Sequence, residues 1–392
     1  MDDPGRYCCR KNLPLQRLAR PADLPGQAGT QYLESPVGSE NKKVPDKVVQ
    51  YGTCGFAEVP RSCSLHCRNV TVIDQLQRVP VIGTQRKLAM AMLIAQAGIV
   101  VTGSIVRVTG SGLGCPTWPN CQPGSLVPVK GARPALHQAI EWGNRLLTFV
   151  LLAIAIALVI AVFRAGRRRD VKLLAALQIV GVVVQAIIGG ISVKLNLAWW
   201  SVALHFLPSM LLVWLAALLW VRVAENDDAS PQRAYPRTFR LLAACSALAM
   251  TLVLITGTLV TGAGRHAGDA VAGETNRLAI SIIDIANIHA HFMYLYLGLT
   301  IGLMFALVAV KAHHTIIRQG YWLLAMIVVQ ALVGIIQYNF GIPAWTIPIH
   351  VGLSGVVVAM TGILFAYGYT TTGGSNYLTG SARGDRRRAK RS

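Results

Sequence analysis

Three histidines, His205, His289 and His350, lie inside long apolar stretches of the sequence. A polar side chain in such surroundings costs on the order of several kcal/mol unless it is paired or bound, so each is a candidate for function. Imidazole is a common axial ligand of haem iron, and two imidazoles on facing helices can ligate one iron from both sides. We therefore predict that His289 and His350 hold a haem. The alternative for a single histidine is a hydrogen bond to a backbone carbonyl of a neighbouring helix.

A second group of polar residues shares one helical face. Spacings of four and three residues place His137, Glu141 and Asn144 on the same side of a helix. A carboxylate beside a haem could transfer protons or steer an oxidised intermediate, whereas two strong axial ligands leave iron no open position for oxygen. With His205, this face predicts a second, open site in which Glu141 is catalytic. The alternative is that Glu141 forms an ion pair with Arg145 on the same helix.

These residues need a scaffold that crosses a membrane. Of the 392 residues, 53% are hydrophobic and 14% are charged, and the mean hydropathy is +0.48, well above the average of soluble proteins. The sequence predicts an all-α integral membrane protein with eight transmembrane helices, because eight apolar runs are each near the ~20 residues that cross a bilayer. The runs are 88–106, 138–163, 171–192, 200–221, 241–262, 288–310, 321–340 and 347–368.

An internal repeat divides the apolar region into two halves. Q-A-I-I-G at 185–189 in the third run returns as Q-A-L-V-G at 330–334 in the seventh, 145 residues later. T-G-S-I-V at 102–106 in the first run returns as T-G-T-L-V at 256–260 in the fifth, at a slightly different offset. Both halves run in the same direction, which predicts two parallel pseudo-repeated four-helix bundles.

The repeat also relates the candidate site residues. The 145-residue offset pairs His205 with His350 and Asn144 with His289. The first half therefore has one histidine where the second half has two. We predict a saturated electron-transfer haem in the second half and an open reactive site in the first.

The net charge of +20 comes from basic residues in the termini and in short loops. They form no basic face interleaved with aromatic residues, so we expect no binding of nucleic acid. Cytoplasmic loops of membrane proteins are enriched in Lys and Arg. Loops 164–172, 222–240 and 311–320, with the tail after 369, hold 17 of these residues against 6 in the opposite loops. This asymmetry predicts that both termini are cytoplasmic.

The composition separates five segments along the chain. Residues 1–85 are polar and Pro-rich and are predicted to be a disordered N-terminal extension. The N-terminal four-helix half occupies 86–222 and the C-terminal half occupies 241–368, joined by a cytoplasmic linker at 223–240. A basic cytoplasmic tail follows at 369–392.

Cys115 and Cys121 lie in the loop after the first helix, within C-P-T-W-P-N-C. This loop is predicted to face the outside, where conditions are oxidising, and its prolines favour a tight turn. A disulfide is therefore favoured, and the alternative is two free thiols.

Together these residues resemble haem A synthase, the membrane enzyme family that oxidises a methyl substituent of haem O to the formyl group of haem A. The resemblance covers 88–368 and rests on T-G-S-I-V-R-V-T-G-S-G-L-G-C-P-T-W-P-N-C at 102–121, on E-W-G-N-R at 141–145 and on the histidines of the fourth, sixth and eighth helices. It implies haem A formation for terminal oxidases by successive hydroxylations, in a bacterial plasma membrane. It also implies haem O as substrate, with haem O synthase and a membrane electron donor as partners.

The same resemblance implies roles for single residues. Haem B is expected between His289 and His350, as the ligands of its iron. The first half is expected to bind the substrate haem, with Glu141 important for turnover and Cys115 and Cys121 as the outward cysteine pair.

The sequence departs from the family at Asn144, where Glu-x-x-His is the usual pattern. Either His205 is the only strong ligand to the substrate haem, or His137, roughly two turns away on the same helical face, replaces the missing histidine. Arg107 and Arg265, just outside the first and fifth helices, are candidates to pair with haem propionates, and solvation in the loops is the alternative.

Two other functions stay open. A bis-His membrane electron carrier like a cytochrome b shares the two-histidine half, but it has little reason to keep Glu141. A transporter can also contain a parallel repeat, but it needs no haem. Soret absorbance of the purified protein separates the transporter from the other two.

Overall fold

The computed structural model describes residues 80–225, 227, 235–264 and 277–369, which belong to one compact unit. This part of the chain folds into eight long α-helices, and its only β pairing is an isolated bridge between Gln122 and Ser125. The helices are α1 (Ile82–Val108), α2 (Ala135–Arg164), α3 (Arg169–Lys194), α4 (Trp199–Val223), α5 (Arg237–Ala263), α6 (Ile282–Ala309), α7 (His314–Asn339) and α8 (Thr346–Tyr367).

The predicted eight-span, all-helical fold is confirmed, because all eight helices are long and apolar enough to cross a membrane. Several begin earlier than the apolar runs do. Helix α6 starts at Ile282, where the side chain of Ser281 accepts a hydrogen bond from the backbone N–H of Asp284. Polar residues near a helix start satisfy its free N–H groups, so the helix extends past its apolar part. Most of the predicted N-terminal extension and nearly all of the basic tail lie outside the described residues.

The helix contacts form two closed rings of four. In the first ring, α1 contacts α2, α2 contacts α3, α3 contacts α4, and α4 contacts α1. In the second ring, α5 to α8 follow the same scheme. Contacts of α1 with α8, of α4 with α8 and of α4 with α5 join the rings. Helices α2, α3, α6 and α7 therefore lie at the periphery, and α1, α4, α5 and α8 lie between the rings.

The turns between helices have the same backbone conformation in both halves. Leu197 after α3 and Ile342 after α7 have φ values of 56° and 60°, in the left-handed region that bulky residues rarely adopt. Asn196 and Gly341, one residue earlier, have φ values of 50° and 73°. Gly166 after α2 and Lys311 after α6 likewise have φ values of 64° and 53°. Each pair is 145 residues apart, which supports the repeat, although correspondence of the halves as wholes stays a prediction.

Polar pairs join helices inside the bundle. The amide of Gln96 on α1 donates to Gln178 on α3 over 3.0 Å, and both side chains are buried. In the second half, the hydroxyl oxygens of Ser246 and Thr300 lie 2.9 Å apart. Such bonds contribute to helix association in lipid, where the hydrophobic effect between helices is absent.

The outer faces of the bundle are apolar. Phe149 on α2 is 68% exposed and Phe305 on α6 is 73% exposed. Large apolar side chains along a whole helix face would be unfavourable in water, and lipid is the solvent that suits them. The protein is therefore a multi-pass membrane protein.

Candidate haem sites

His289 on α6 is held in a defined orientation by α5. The Nδ1 atom of His289 lies 3.1 Å from the hydroxyl oxygen of Thr256. That hydroxyl also lies 2.8 Å from the backbone carbonyl of Leu252, to which it can donate its own hydrogen. When it does, its oxygen accepts from Nδ1–H, and the lone pair of Nε2 is available to a metal.

His350 on α8 occupies a similar position against α7. The amide of Gln330 donates to the backbone carbonyl of His350 over 3.0 Å. A Cβ atom at Gly334, one turn further along α7, would lie 3.2 Å from Cε1 of the imidazole. The ring therefore packs closely against α7 at Gly334, and an added side chain there would require a small shift. Nδ1 of His350 is buried and has no hydrogen-bond partner among the described residues.

The site around His205 repeats this arrangement in the first half. The amide of Gln185 donates to the backbone carbonyl of His205 over 2.9 Å. A Cβ atom at Gly189 would lie 3.1 Å from Cε1 of His205. Here too, Nδ1 is buried and has no partner in the described part of the chain. His205 and His350 thus have similar surroundings. The backbone carbonyl of each accepts from a glutamine, each ring packs on a glycine, and each Nδ1 lacks a partner among the described residues.

Asn144 on α2 takes the place of His289 in the first half. Its side-chain oxygen accepts a 2.7 Å hydrogen bond from the hydroxyl of Thr102. Thr102 corresponds to Thr256 in the repeated T-G motif, and Thr256 contacts His289 in the second half. A Cβ atom at Gly257 would lie 3.2 Å from Cε1 of His289, whereas one at Gly103 would meet no atom within 4 Å. The shorter side chain therefore leaves open space where the second half has an imidazole.

Glu141 on α2 is buried and paired. Its Oε1 lies 2.6 Å from Nη2 of Arg145, and its Oε2 accepts a 2.7 Å hydrogen bond from the backbone N–H of Cys115. The ion pair with Arg145, the alternative interpretation of Glu141, is therefore present in the structure. One carboxylate oxygen is thus bound to a residue of α2 and the other to the loop. The catalytic role of Glu141 stays a prediction.

Arg145 extends this attachment along the loop between α1 and α2. Its guanidinium donates to the backbone carbonyls of Thr117 and Asn120 over 3.0 Å each and to that of Cys115 over 2.8 Å. Cys115 and Cys121 pair in the structure, with 2.07 Å between their sulfur atoms. One arginine thus fixes three carbonyls of the loop that the cysteines close. We call 115–121 the cysteine loop, and the end of the bundle where it lies the loop end.

A second polar network holds the following part of the loop. The amide of Gln122 donates to the carbonyl of Gly114 over 2.9 Å and to the side-chain oxygen of Gln138 over 3.1 Å. Gln138 in turn donates to the carbonyls of Val129 and Arg133. Because both glutamines are buried, these bonds fix the loop against the start of α2.

The other candidate residues lie further out. His137 is in the first turn of α2, and its backbone packs against Gly114 so closely that a Cβ atom there would lie 2.5 Å from it. Arg107, at the end of α1, donates to the carbonyl of Thr261 on α5 over 3.5 Å. The roles of His137 and Arg107 toward haem stay predictions. Arg265 lies outside the described residues.

The observed side chains fit haem as a ligand. His289 and His350 belong to one ring of helices, each has its imidazole backed by a glycine, and the hydroxyl of Thr256 lies against Nδ1 of His289. Nδ1 of His205 and of His350 is buried without a partner in the described part of the chain, and buried polar atoms of this kind are uncommon in folded proteins, so a bound group is one way to satisfy them. No cluster of three or more His, Cys, Asp or Glu able to hold a bare metal ion occurs within 80–225, 227, 235–264 and 277–369.

Sequence reasoning identified the histidines but not what supports them. Gly189 and Gly334 were visible as the last letter of the repeated Q-A-x-x-G motif, and their role needed the packing of α3 on α4 and of α7 on α8. Thr256 was visible in the T-G motif, but its bond to His289 depends on the facing of α5 and α6. The bonds from Arg145 to the loop carbonyls could not be predicted from the sequence, which shows only the spacing of Arg145 from Glu141.

Three relatives share part of this sequence. The chain is 32% identical over 143 residues to a heme A synthase of Bacillus licheniformis, covering 36% of this chain and 46% of the relative. It is 35% identical over 141 residues to a heme A synthase of Lysinibacillus sphaericus, covering 36% and 45%. For a heme A synthase of Exiguobacterium sibiricum the identity is 29% over 176 residues, covering 44% and 57%. The chain thus spans about half the length of the curated relatives it matches.

A family match covers much more of the chain. The family COX15-CtaA, described as cytochrome oxidase assembly protein, matches residues 86–361, from the first turns of α1 to the last part of α8. This match includes both rings of helices and the sites of His205, His289 and His350. The chain therefore belongs to the cytochrome oxidase assembly protein family.

Proposed function

We propose that this protein is a haem A synthase that oxidises a methyl group of haem O to the formyl group of haem A. Two successive hydroxylations convert the methyl group first to a hydroxymethyl group and then to a geminal diol, which loses water to give the aldehyde. With dioxygen as the oxidant, each hydroxylation inserts one oxygen atom into a C–H bond, and the other oxygen atom leaves as water with two protons and two electrons from the donor. The observation that carries the proposal is the difference between the halves: two glycine-backed imidazoles in the second and only one in the first.

In this proposal the second half holds haem B. His289 and His350 would be its axial ligands, and Thr256 would orient the first of them through Nδ1. When bound, haem B supplies reversible one-electron transfer. Two strong ligands leave the iron no free position, which suits electron transfer and not chemistry on oxygen.

The first half would bind haem O as substrate. His205 is the strong ligand in this half, because the amide of Asn144 bonds to Thr102 and binds iron far more weakly than imidazole does. The open space at Gly103 lies on the side where the second half has its other imidazole. A substrate held by one ligand would keep its other side accessible to reactants.

Glu141 and the cysteine loop would serve the first half. The carboxylate can accept or return a proton during the hydroxylations, and its contacts with Arg145 and Cys115 hold it at the loop end. A disulfide between Cys115 and Cys121 is part of the proposal, since the positive-inside asymmetry puts the loop end outside the cell, where disulfides persist. Both termini would then be cytoplasmic.

The proposal includes a cellular location and partners. The membrane would be the plasma membrane of a bacterium, and haem O would come from a haem O synthase. Electrons would come from a membrane donor, whose identity the proposal leaves open. The iron of haem B would be the bound metal.

The test is haem extraction and chromatography from membranes of a host that makes haem O but no haem A, with and without this gene. We expect new haem A, or its hydroxymethyl precursor, only when the gene is present. Purified protein that contains haem B and leaves haem O unconsumed, with a competent electron donor supplied, would instead support the carrier function. Protein without Soret absorbance would support the transporter.

A further inference from the structure

Trp118, in the centre of the cysteine loop, packs directly on helix α3. A Cβ atom at Gly190 would lie 2.4 Å from Cδ2 and 2.5 Å from Cε2 of the indole, well inside van der Waals contact. These two atoms are the central bond of the ring system, so they are not a flexible end that could move aside cheaply. The indole therefore occupies the space that any other residue at 190 would fill.

This contact is next to the His205 site. Gly190 follows Gly189, whose missing side chain makes room for the imidazole of His205. Two successive glycines on α3 thus admit two rings, one from the loop and one from α4. The indole of Trp118 and the imidazole of His205 therefore pack against successive residues of α3 in the first half.

Arg145 binds the cysteine loop before and after Trp118. Arg145 donates to the carbonyl of Thr117, immediately before the tryptophan, and to that of Asn120, two residues after it. The residues just before the cysteine loop contact the turn after α3, because a Cβ atom at Gly112 would lie 2.4 Å from Cδ1 of Leu197. The segment 112–120 therefore contacts both α2 and the turn between α3 and α4.

The second half has no glycine at the position that corresponds to Gly190. Gly189 corresponds to Gly334 at the 145-residue offset, but Gly190 corresponds to Ile335, whose side chain is 53% exposed. A glycine packs against the histidine in both halves, at 189 and at 334. A glycine at the next position, where the indole packs, is found only at 190. A purely structural glycine of the repeat would be expected at both positions.

We propose that Trp118 is the lid of the His205 site and a residue that determines how firmly the substrate haem is held. The inference rests on the proposed function, since it takes the substrate to be the porphyrin of haem O. The indole closes the loop end of this site and contacts the porphyrin, and the Arg145 clamp positions it. Aromatic faces stack well on flat conjugated rings, which makes tryptophan suited to this contact.

The experiment measures release of haem O from the purified, haem B-containing protein to excess apomyoglobin, without an electron donor. We expect Trp118→Ala to release haem O about 3- to 10-fold faster than wild type, the loss expected for one aromatic contact. Trp118→Phe keeps an aromatic face and should restore part of the difference. Gly190→Ala should also accelerate release, because the added methyl group displaces the indole.

The control variants are Trp345→Ala, an exposed tryptophan at the start of α8, and Gly98→Ala, where an added Cβ meets no atom within 4 Å. Both should release haem O at the wild-type rate, and all variants should keep their haem B. Wild-type release from both Trp118→Ala and Gly190→Ala would overturn the lid. A wild-type protein that takes up no haem O would overturn the proposed function and this inference with it.

Discussion

Glu141 and Arg145 form an ion pair of 2.6 Å on one face of α2, and both side chains also hold the backbone of the cysteine loop. The carboxylate that the sequence singles out for catalysis is therefore also an attachment point of the loop. Its effect on turnover can arise from proton transfer, from placement of Trp118, or from both. Substitutions at Glu141 distinguish these contributions.

We expect Glu141→Ala to retain haem B and to stop or strongly slow haem A formation. Removing one partner of a buried ion pair costs about 3–5 kcal/mol, since the other charge is left unpaired. Glu141→Gln keeps an acceptor for the N–H of Cys115 but cannot carry a proton, so it separates attachment from proton transfer. Haem B and haem A are measured by chromatography, with Asp284→Asn, an exposed carboxylate on α6, as the control.

Undiminished haem A from Glu141→Ala would contradict a role for this carboxylate in turnover. If Glu141→Gln retains haem O as firmly as wild type but forms no haem A, proton transfer is the main contribution. If it loses haem O as quickly as Trp118→Ala, attachment of the loop is the main contribution.

Thr256→Val should weaken haem B binding. The hydroxyl oxygen of Thr256 lies 3.1 Å from Nδ1 of His289, and loss of such an outer partner typically costs about 10- to 100-fold in metal affinity. Thr256→Ser keeps the hydroxyl and should behave as wild type. Binding is measured by titrating the haem-depleted protein with haem B.

The matched control for this substitution is Thr251→Val on the same helix, whose exposed hydroxyl bonds only to its own helix backbone at Ala247. Equal haem B affinity of Thr256→Val and Thr251→Val would show that the bond to His289 does not support ligation.

Alanine at Gly334 should reduce haem B content. A Cβ atom there would lie 3.2 Å from Cε1 of His350, so the imidazole or the helix must shift. Overpacking of this kind typically costs about 1–3 kcal/mol. The haem B absorbance per protein of Gly334→Ala is compared with that of Gly98→Ala, which adds the same methyl group in open space. Full haem B occupancy in both variants would argue against His350 as a tightly packed ligand.

Asn144→His should strengthen binding of the substrate haem. The new imidazole would enter the open space at Gly103 and face the same side as His289 does in the second half. Two imidazoles then ligate iron where one did before, which lowers release of haem O to apomyoglobin by at least about tenfold. An unchanged release rate would mean that residue 144 does not face the substrate haem.

Composition and residue spacing were sufficient to predict the eight spans and to locate the histidines. Apolar runs of about 20 residues and the repeated Q-A-x-x-G motif depend only on composition and spacing, and a bilayer permits few alternatives to a helix for such runs. The same patterns located His205, His289 and His350 and showed that Asn144 breaks the correspondence between halves.

The atoms that support those residues could not be predicted without the packing of the helices. The bond from Thr256 to His289 and the packing of His350 on Gly334 depend on how two helices face each other, which spacing within one helix does not fix. Placement of Trp118 on Gly190 joins residues that are far apart in the chain and come from a loop without periodicity. Its position follows from the clamp by Arg145 and from shape, and both exist only after α2 and α3 have packed.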